Sequence, residues 1–174
     1  PLYHVEKQNI SKETISRLEA YAYNLENGKI VKTKMDKSYV FEERVSPYWK
    51  QVKFSIPNVK AGTIIEYKYK ITSDYFSNIP DWEIQEEIPV YFSEFIVKIP
   101  EYFHFRFETK GYERIGVNET QENQNFTINL GGGQTDMVHC TSRQLKFTSE
   151  NVPALKDDGY VWCIKDFSSH VRFE

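Results

Sequence analysis

Four carboxylates crowd a tryptophan in the stretch DWEIQEEIP, residues 81–89. Glycoside hydrolysis needs two carboxyls facing each other about 5 to 9.5 Å apart, one with its pKa raised by burial. On a strand, Asp81, Glu83 and Glu87 share a side with Gln85, with roughly 7 Å between alternate residues, while Trp82 and Ile84 take the other side. The indole then points away from the acids and cannot be a stacking platform above them. The acids stand on the wet side, where pKa shifts are small. A hard cation wants a curled loop that gathers oxygens around it, not a straight row. The stretch therefore reads as a solvated strand face.

The thiols and imidazoles lead to the same place. Cys140 and Cys163 are the only cysteines, with no CxxC metal spacing. They either pair, if the protein is exported, or serve as small core residues. A nucleophilic cysteine needs a base within hydrogen-bond reach and a third group to orient that base. His139 and Cys140 are strand neighbours and point to opposite faces. Cys163 lies near Asp166 and His170, but nothing there supplies an oxyanion site or a helix N-terminus to lower its pKa. His4, His104, His139 and His170 show neither HxH nor HxxxH spacing, and His104 and His170 fall on the polar parity of strands. No metal and no cofactor is expected. Gly131–Gly133 sits between two β-like runs, which makes it a hairpin tip and not a phosphate cradle. The triplets NIS, NET and NFT match the N-glycosylation sequon, a short motif that is weak on its own.

The elements that would position these groups are strands. The chain has 12 Tyr and 12 Phe against six Leu and four Ala, a choice that disfavours helices. At 174 residues it makes one domain, or two small ones sharing a sheet, and buries roughly two thirds of its unfolded surface without a metal or disulfide staple. The net charge is −3 with lysines scattered singly, so no basic stripe recommends nucleic acid. No apolar run is long enough to span a membrane, and no signal peptide is evident. Position 1 is proline, so the chain is expected to be a processed or excised piece.

Period-two alternation recurs. FHFRFET puts Phe103, Phe105 and Phe107 opposite His104, Arg106 and Glu108. TIIEYKYKI puts Ile65, Tyr67, Tyr69 and Ile71 opposite Ile64, Glu66, Lys68 and Lys70. NFTINL aligns Phe126, Ile128 and Leu130, and HVRFE aligns Val171 and Phe173. Such runs predict half-buried antiparallel strands, dry on one side. Asn27-Gly28 is a strong hairpin dipeptide, and IPNVKAGT turns through Pro57 and Gly62. ETISRLEAYAYNLE fits a helix or a strand; the hairpin signal after it and its two tyrosines favour strand, with a helical turn near Ser11 where SKET has N-cap chemistry. About ten strands at short spacing predict an all-β, immunoglobulin-like antiparallel sandwich over residues 15–174, behind an N-terminal remnant or linker at 1–14.

Several phrases, in order, carry a family likeness: AYAYNLENGKIVKTKM, KFSIPNVKAGTIIEYKYKITSDYF, DWEIQEEIPVYFSEFIVKIPEYFHF and FTSENVPALKDDGYV. Together they resemble the uncharacterised β-domain that precedes transglutaminase-like (papain-like cysteine hydrolase) cores in exported bacterial proteins. The resemblance runs from about Ile15 to the C-terminus. It implies an immunoglobulin-like sandwich with a periplasmic or cell-surface home. It also implies a catalytic Cys-His-Asp set that belongs to the following core domain, the expected partner, with no residue of that set in this chain.

Two details of the opening stretch need architecture to explain them. Glu86 falls on the inward parity of Trp82 and Ile84, and the apolar residues later change parity to Phe95, Val97 and Ile99. A bulge near Glu86-Glu87 and a kink near Ser93-Glu94 would resolve both, with Pro89 at an edge or in the bulge. Such a strand can cross from one sheet to the other. The expected function is thus a non-catalytic module that packs on and positions a hydrolase domain or its peptide or glycan substrate. The alternative is a free-standing carbohydrate-binding module using exposed Trp49, Trp82 or Tyr side chains. Gly28, Gly62, Gln85, Glu86 and Pro89 are assigned structural roles.

Overall fold

The computed structural model describes residues 2–4, 13–75, 78–131, 134–155 and 167–174. Within them the chain is all-β. Twelve strands run β1 (Leu2–His4), β2 (Glu13–Glu26), β3 (Lys29–Lys34), β4 (Val40–Arg44), β5 (Trp49–Phe54), β6 (Ile64–Ser73), β7 (Trp82–Glu83), β8 (Val90–Pro100), β9 (Phe107–Lys110), β10 (Gly116–Gly131), β11 (Gln134–Val152) and β12 (His170–Phe173). Every pairing is antiparallel. The chain divides into two compact units, Pro1–Ser77 and Asn78–Glu174.

The first unit holds the sheets β1-β5-β4 and β3-β2-β6. ETISRLEAYAYNLE is strand, as its tyrosines and the following turn predict. Asn27 and Gly28 take φ 50° and 75°, the two positive values that let a two-residue turn follow the strand twist, and Glu26 pairs with Lys29 across it. The stretch around Ser11 lies outside the described residues. Ala20 and Ala22 are fully buried, and Asn24 is buried beside them. Its amide satisfies itself on the 55–63 turn: Nδ2 donates to the Asn58 carbonyl at 2.9 Å, and Oδ1 accepts the Thr63 hydroxyl at 2.6 Å. Gly62, at φ 83°, lets that turn close.

One expectation fails in this unit. The alternation of β6 predicts a dry side, yet all ten of its residues are exposed, Tyr67 at 58% and Ile65 at 47%. Alternation assigns sides to a strand but not a cover, and β6 forms the edge of its sheet.

The second unit holds β10-β11-β8 and β7-β12-β9. Their apolar residues meet in one core of Trp82, Ile84, Val97, Ile99, Leu145, Phe147, Val152, Val171 and Phe173. Phe147 is its hub. Phe107 and Phe173 meet it edge-on at 5.0 and 5.9 Å between ring centres, and Trp82 lies 6.3 Å away. Edge-to-face pairs of this kind add about 0.5–1.5 kcal/mol each to the area they bury. Val171 and Phe173 are buried on one side of β12, as HVRFE predicts.

The stretch 81–100 does leave one sheet for the other. β7 pairs with β12, whereas β8 pairs with β11. The means differ from a bulge: residues 84–89 are not strand at all. Pro89 immediately precedes β8, where no ladder donor is needed. Glu86 is exposed rather than turned inward, because parity does not carry past the point where the strand stops; its carbonyl accepts from the Leu155 amide at 2.8 Å. FHFRFET is corrected likewise. Only Phe107 onwards is strand, since a turn at Glu101-Tyr102, closed by the Phe103 amide on the Pro100 carbonyl at 2.9 Å, precedes an irregular 103–106. Gly131 pairs with Gln134, which makes the glycine run a hairpin connection whose residues 132–133 lie outside the described residues.

Candidate functional site

The side of the β10-β11-β8 sheet that carries Val97, Ile99, Leu145 and Phe147 into the core does not end with them. One register step beyond Leu145, Arg143 lies between Ile99 on β8 and Gln121 on β10. Directly paired residues share a face, so here the apolar inner side turns polar. A half-open groove of about 670 Å³ forms at this mouth of the second unit.

The segment 101–106 makes the other wall and is pinned at both ends. Glu101 donates its amide to the Thr141 carbonyl at 2.9 Å and accepts the Thr141 amide on Oε1 at 3.0 Å. Arg106 and Glu174 exchange backbone bonds at 2.8 and 2.9 Å. Between these ties Phe103, His104, Phe105 and Arg106 line the groove, with the two phenyl rings 6.4 Å apart. Arg143 reaches back to Glu119 in a two-point contact, Nε to Oε1 at 2.6 Å and Nη2 to Oε2 at 3.0 Å. That contact holds the Glu119 carboxyl below the usual carboxylate range and raises Arg143 further.

None of the groove's charged groups stands out in the sequence as a site. A strand reading of FHFRF puts Phe103 and Phe105 on one side and His104 and Arg106 on the other. The irregular backbone instead brings all four to one cavity. The usable signal is Pro100, which makes an uninterrupted strand improbable through this point.

The residues singled out from sequence fall elsewhere. Trp82 is only 8% exposed and lies nearly parallel to Phe95 at 6.0 Å, so it is core and no ligand platform. Trp49 is 42% exposed at the start of β5, in the first unit. The acids near Trp82 are solvated, as parity predicts for Asp81 and Glu83: Asp81 meets Arg172 at 3.4 Å, and Glu83 accepts from Ser168 at 3.4 Å. Glu83, Glu86 and Glu87 border a second groove of about 560 Å³ with Ile88 and Leu155. Gln85 is a tie, accepting the Ser169 amide at 3.1 Å. Cys140 is a buried free thiol 3.9 Å from the Ser142 hydroxyl, and Cys163 lies outside the described residues. His139 contacts Asn125 at 2.6 Å, and Nδ1 of His170 lies 3.0 Å from the Ser168 carbonyl. Among the described residues no three His, Cys, Asp or Glu side chains gather to hold a metal.

Fold and groove define an antiparallel β module with a small cavity in its second unit. Residues 9–131 match the model of DUF3857, described as a domain of unknown function with a solved structure, and the chain belongs to this family. It is also similar to the crystal structure, at 2.00 Å resolution, of a candidate protease from Parabacteroides distasonis ATCC 8503. That likeness has a TM-score of 0.60 at 15% identity and covers 94% of this chain and 32% of the other. At that identity the likeness is one of fold. The chain spans about a third of the length of that protein. No curated protein matches the chain.

Proposed function

We propose that this chain is a non-catalytic β-sandwich module of an exported, periplasmic or cell-surface protein of the transglutaminase-like type. It packs on the papain-like cysteine hydrolase domain and positions that domain or its peptide or glycan substrate. One observation carries the reading: the same fold makes up about a third of a longer chain described as a candidate protease. The order of the phrases from AYAYNLENGKI to NVPAL supports it from the sequence side. The contribution is binding and orientation, which lower the entropic cost of bringing substrate to a nucleophile held elsewhere.

A second reading has its own observation. Tyr67 and Tyr69 lie on β6 with rings 6.4 Å apart and only 4° from parallel, both exposed. A flat aromatic pair offers the stacking surface of a carbohydrate-binding module, with Trp49 a further exposed indole.

Fractionation of the source cells tests the first reading. An antibody against this chain should detect a protein well above 20.6 kDa in the periplasmic or surface fraction. A 20.6 kDa band in the cytoplasm would contradict it.

A further inference from the structure

We infer that the groove at the mouth of the second unit binds a small carboxylate-bearing ligand with an apolar or ring-shaped body. The inference rests on the groove alone and holds whether or not the chain serves a hydrolase.

Hydrogen-bond accounting points to the charge of the ligand. The carboxylates are partly or wholly engaged. Oε1 of Glu101, in the lining, accepts the Thr141 amide, while Oε2 has no partner among the described residues. Both oxygens of Glu119, next to the groove, are taken by Arg143. The basic side chains are not matched in the same way. Among the described residues the side chains of Arg106 and His104 make no hydrogen bond or ion pair, although both line the cavity. Of the five N–H donors of Arg143, two go to Glu119. The unspent capacity is therefore mainly donor capacity on the guanidiniums of Arg106 and Arg143, which outnumbers the open Glu101 oxygen, and the His104 imidazole can add a donor. A guanidinium fork matches a planar two-oxygen anion best.

Size and lining choose the body that carries the anion. A volume of about 670 Å³ lies within the range of small-ligand sites, roughly 300–1,000 Å³, and is far too large for a bare ion. Ile99, Phe103 and Phe105 supply an apolar wall beside the donors. Because segment 101–106 is tied to Thr141 at one end and Glu174 at the other, this wall is formed before any ligand arrives, and little ordering cost remains. The carboxylate can come from a peptide end or from an acidic sugar; the chemistry read by the groove is the same.

The test follows amide shifts of Gln121, Thr141 and Arg143 in the ¹⁵N-labelled chain. The probes are N-acetylphenylalanine and its carboxamide, and glucuronate and glucose. At least one acid should shift these amides with a Kd of about 1 mM or tighter, and its neutral counterpart should bind about ten-fold more weakly. Which acid binds identifies the source. Arg106→Ala should weaken the acid about ten-fold while leaving the spectrum dispersed, because its backbone pairing with Glu174 is untouched. The inference is overturned if acid and neutral probes bind alike, if neither acid shifts these amides at about 10 mM, or if Arg106→Ala changes nothing.

Discussion

Gly111 and Ser169 approach so closely that a Cβ on Gly111 would fall 2.8 Å from Cβ of Ser169 and nearer still to its Oγ and Cα. Ser169 is fully buried and joins three segments. Its hydroxyl accepts the amides of Tyr112 and Glu113 at 3.1 and 2.9 Å, its amide donates to Gln85, and its carbonyl accepts from Ile84 at 3.0 Å. The exit of β7, the 111–113 turn and the approach to β12 are thereby locked together.

Gly111→Ala combines two penalties, a left-handed φ of 92° and a clash with buried backbone. A loss of about 2–4 kcal/mol in urea denaturation is expected. Gly28→Ala isolates the first penalty. Gly28 has φ 75° and open space around its Cβ position, so about 1 kcal/mol is expected. Equal costs at the two sites would refute the close approach.

Ser169→Ala removes the acceptor of two amides while keeping the backbone ties. The cost should be about 1–3 kcal/mol, and hydrogen exchange at Tyr112 and Glu113 should accelerate more than elsewhere in the second unit.

Phe147→Ala empties the hub of the aromatic core and should cost about 3–5 kcal/mol. Trp82→Ala removes a ring that lies 6.3 Å from Phe147 in that same core, so the two losses should be non-additive when combined.

These relationships differ in how far the sequence betrays them. Local chemistry reads well: Asn27-Gly28 demands two positive φ values and finds them, HVRFE alternates and buries Val171 and Phe173, and parity separates Trp82 from Asp81 and Glu83. Parity fails where it must be continued across an unseen break. Carrying the strand through Gln85 points Glu86 inward, and the same continuation past Pro100 sets Phe103 opposite His104. It also fails on cover, since nothing within TIIEYKYKI says that β6 lies at an edge. The groove is the least legible feature in the sequence. Arg143 and Glu119 are 24 residues apart, and only the register of β10 on β11 sets them side by side.

The Glu119–Arg143 contact has a pH signature. The carboxyl is depressed in the folded chain, so its stabilising effect is present above the ordinary glutamate value of 4.5 and is lost as pH falls through its lower folded value. A ¹³C titration should place Glu119 below the ordinary glutamate value, and Arg143→Gln should return it towards that value. An unshifted Glu119 in the native chain would mean that the contact is absent in solution.

The central claim, the proposal that this module serves a hydrolase without doing the chemistry, is tested most directly by the steady-state kinetics of the proposed longer hydrolase with and without residues 1–174. If the module binds and orients as proposed, removal should raise KM for a peptide substrate more than it lowers kcat, while the 174-residue chain alone should cleave nothing. Peptide cleavage by the isolated chain, or identical kinetics after its removal, would contradict the claim.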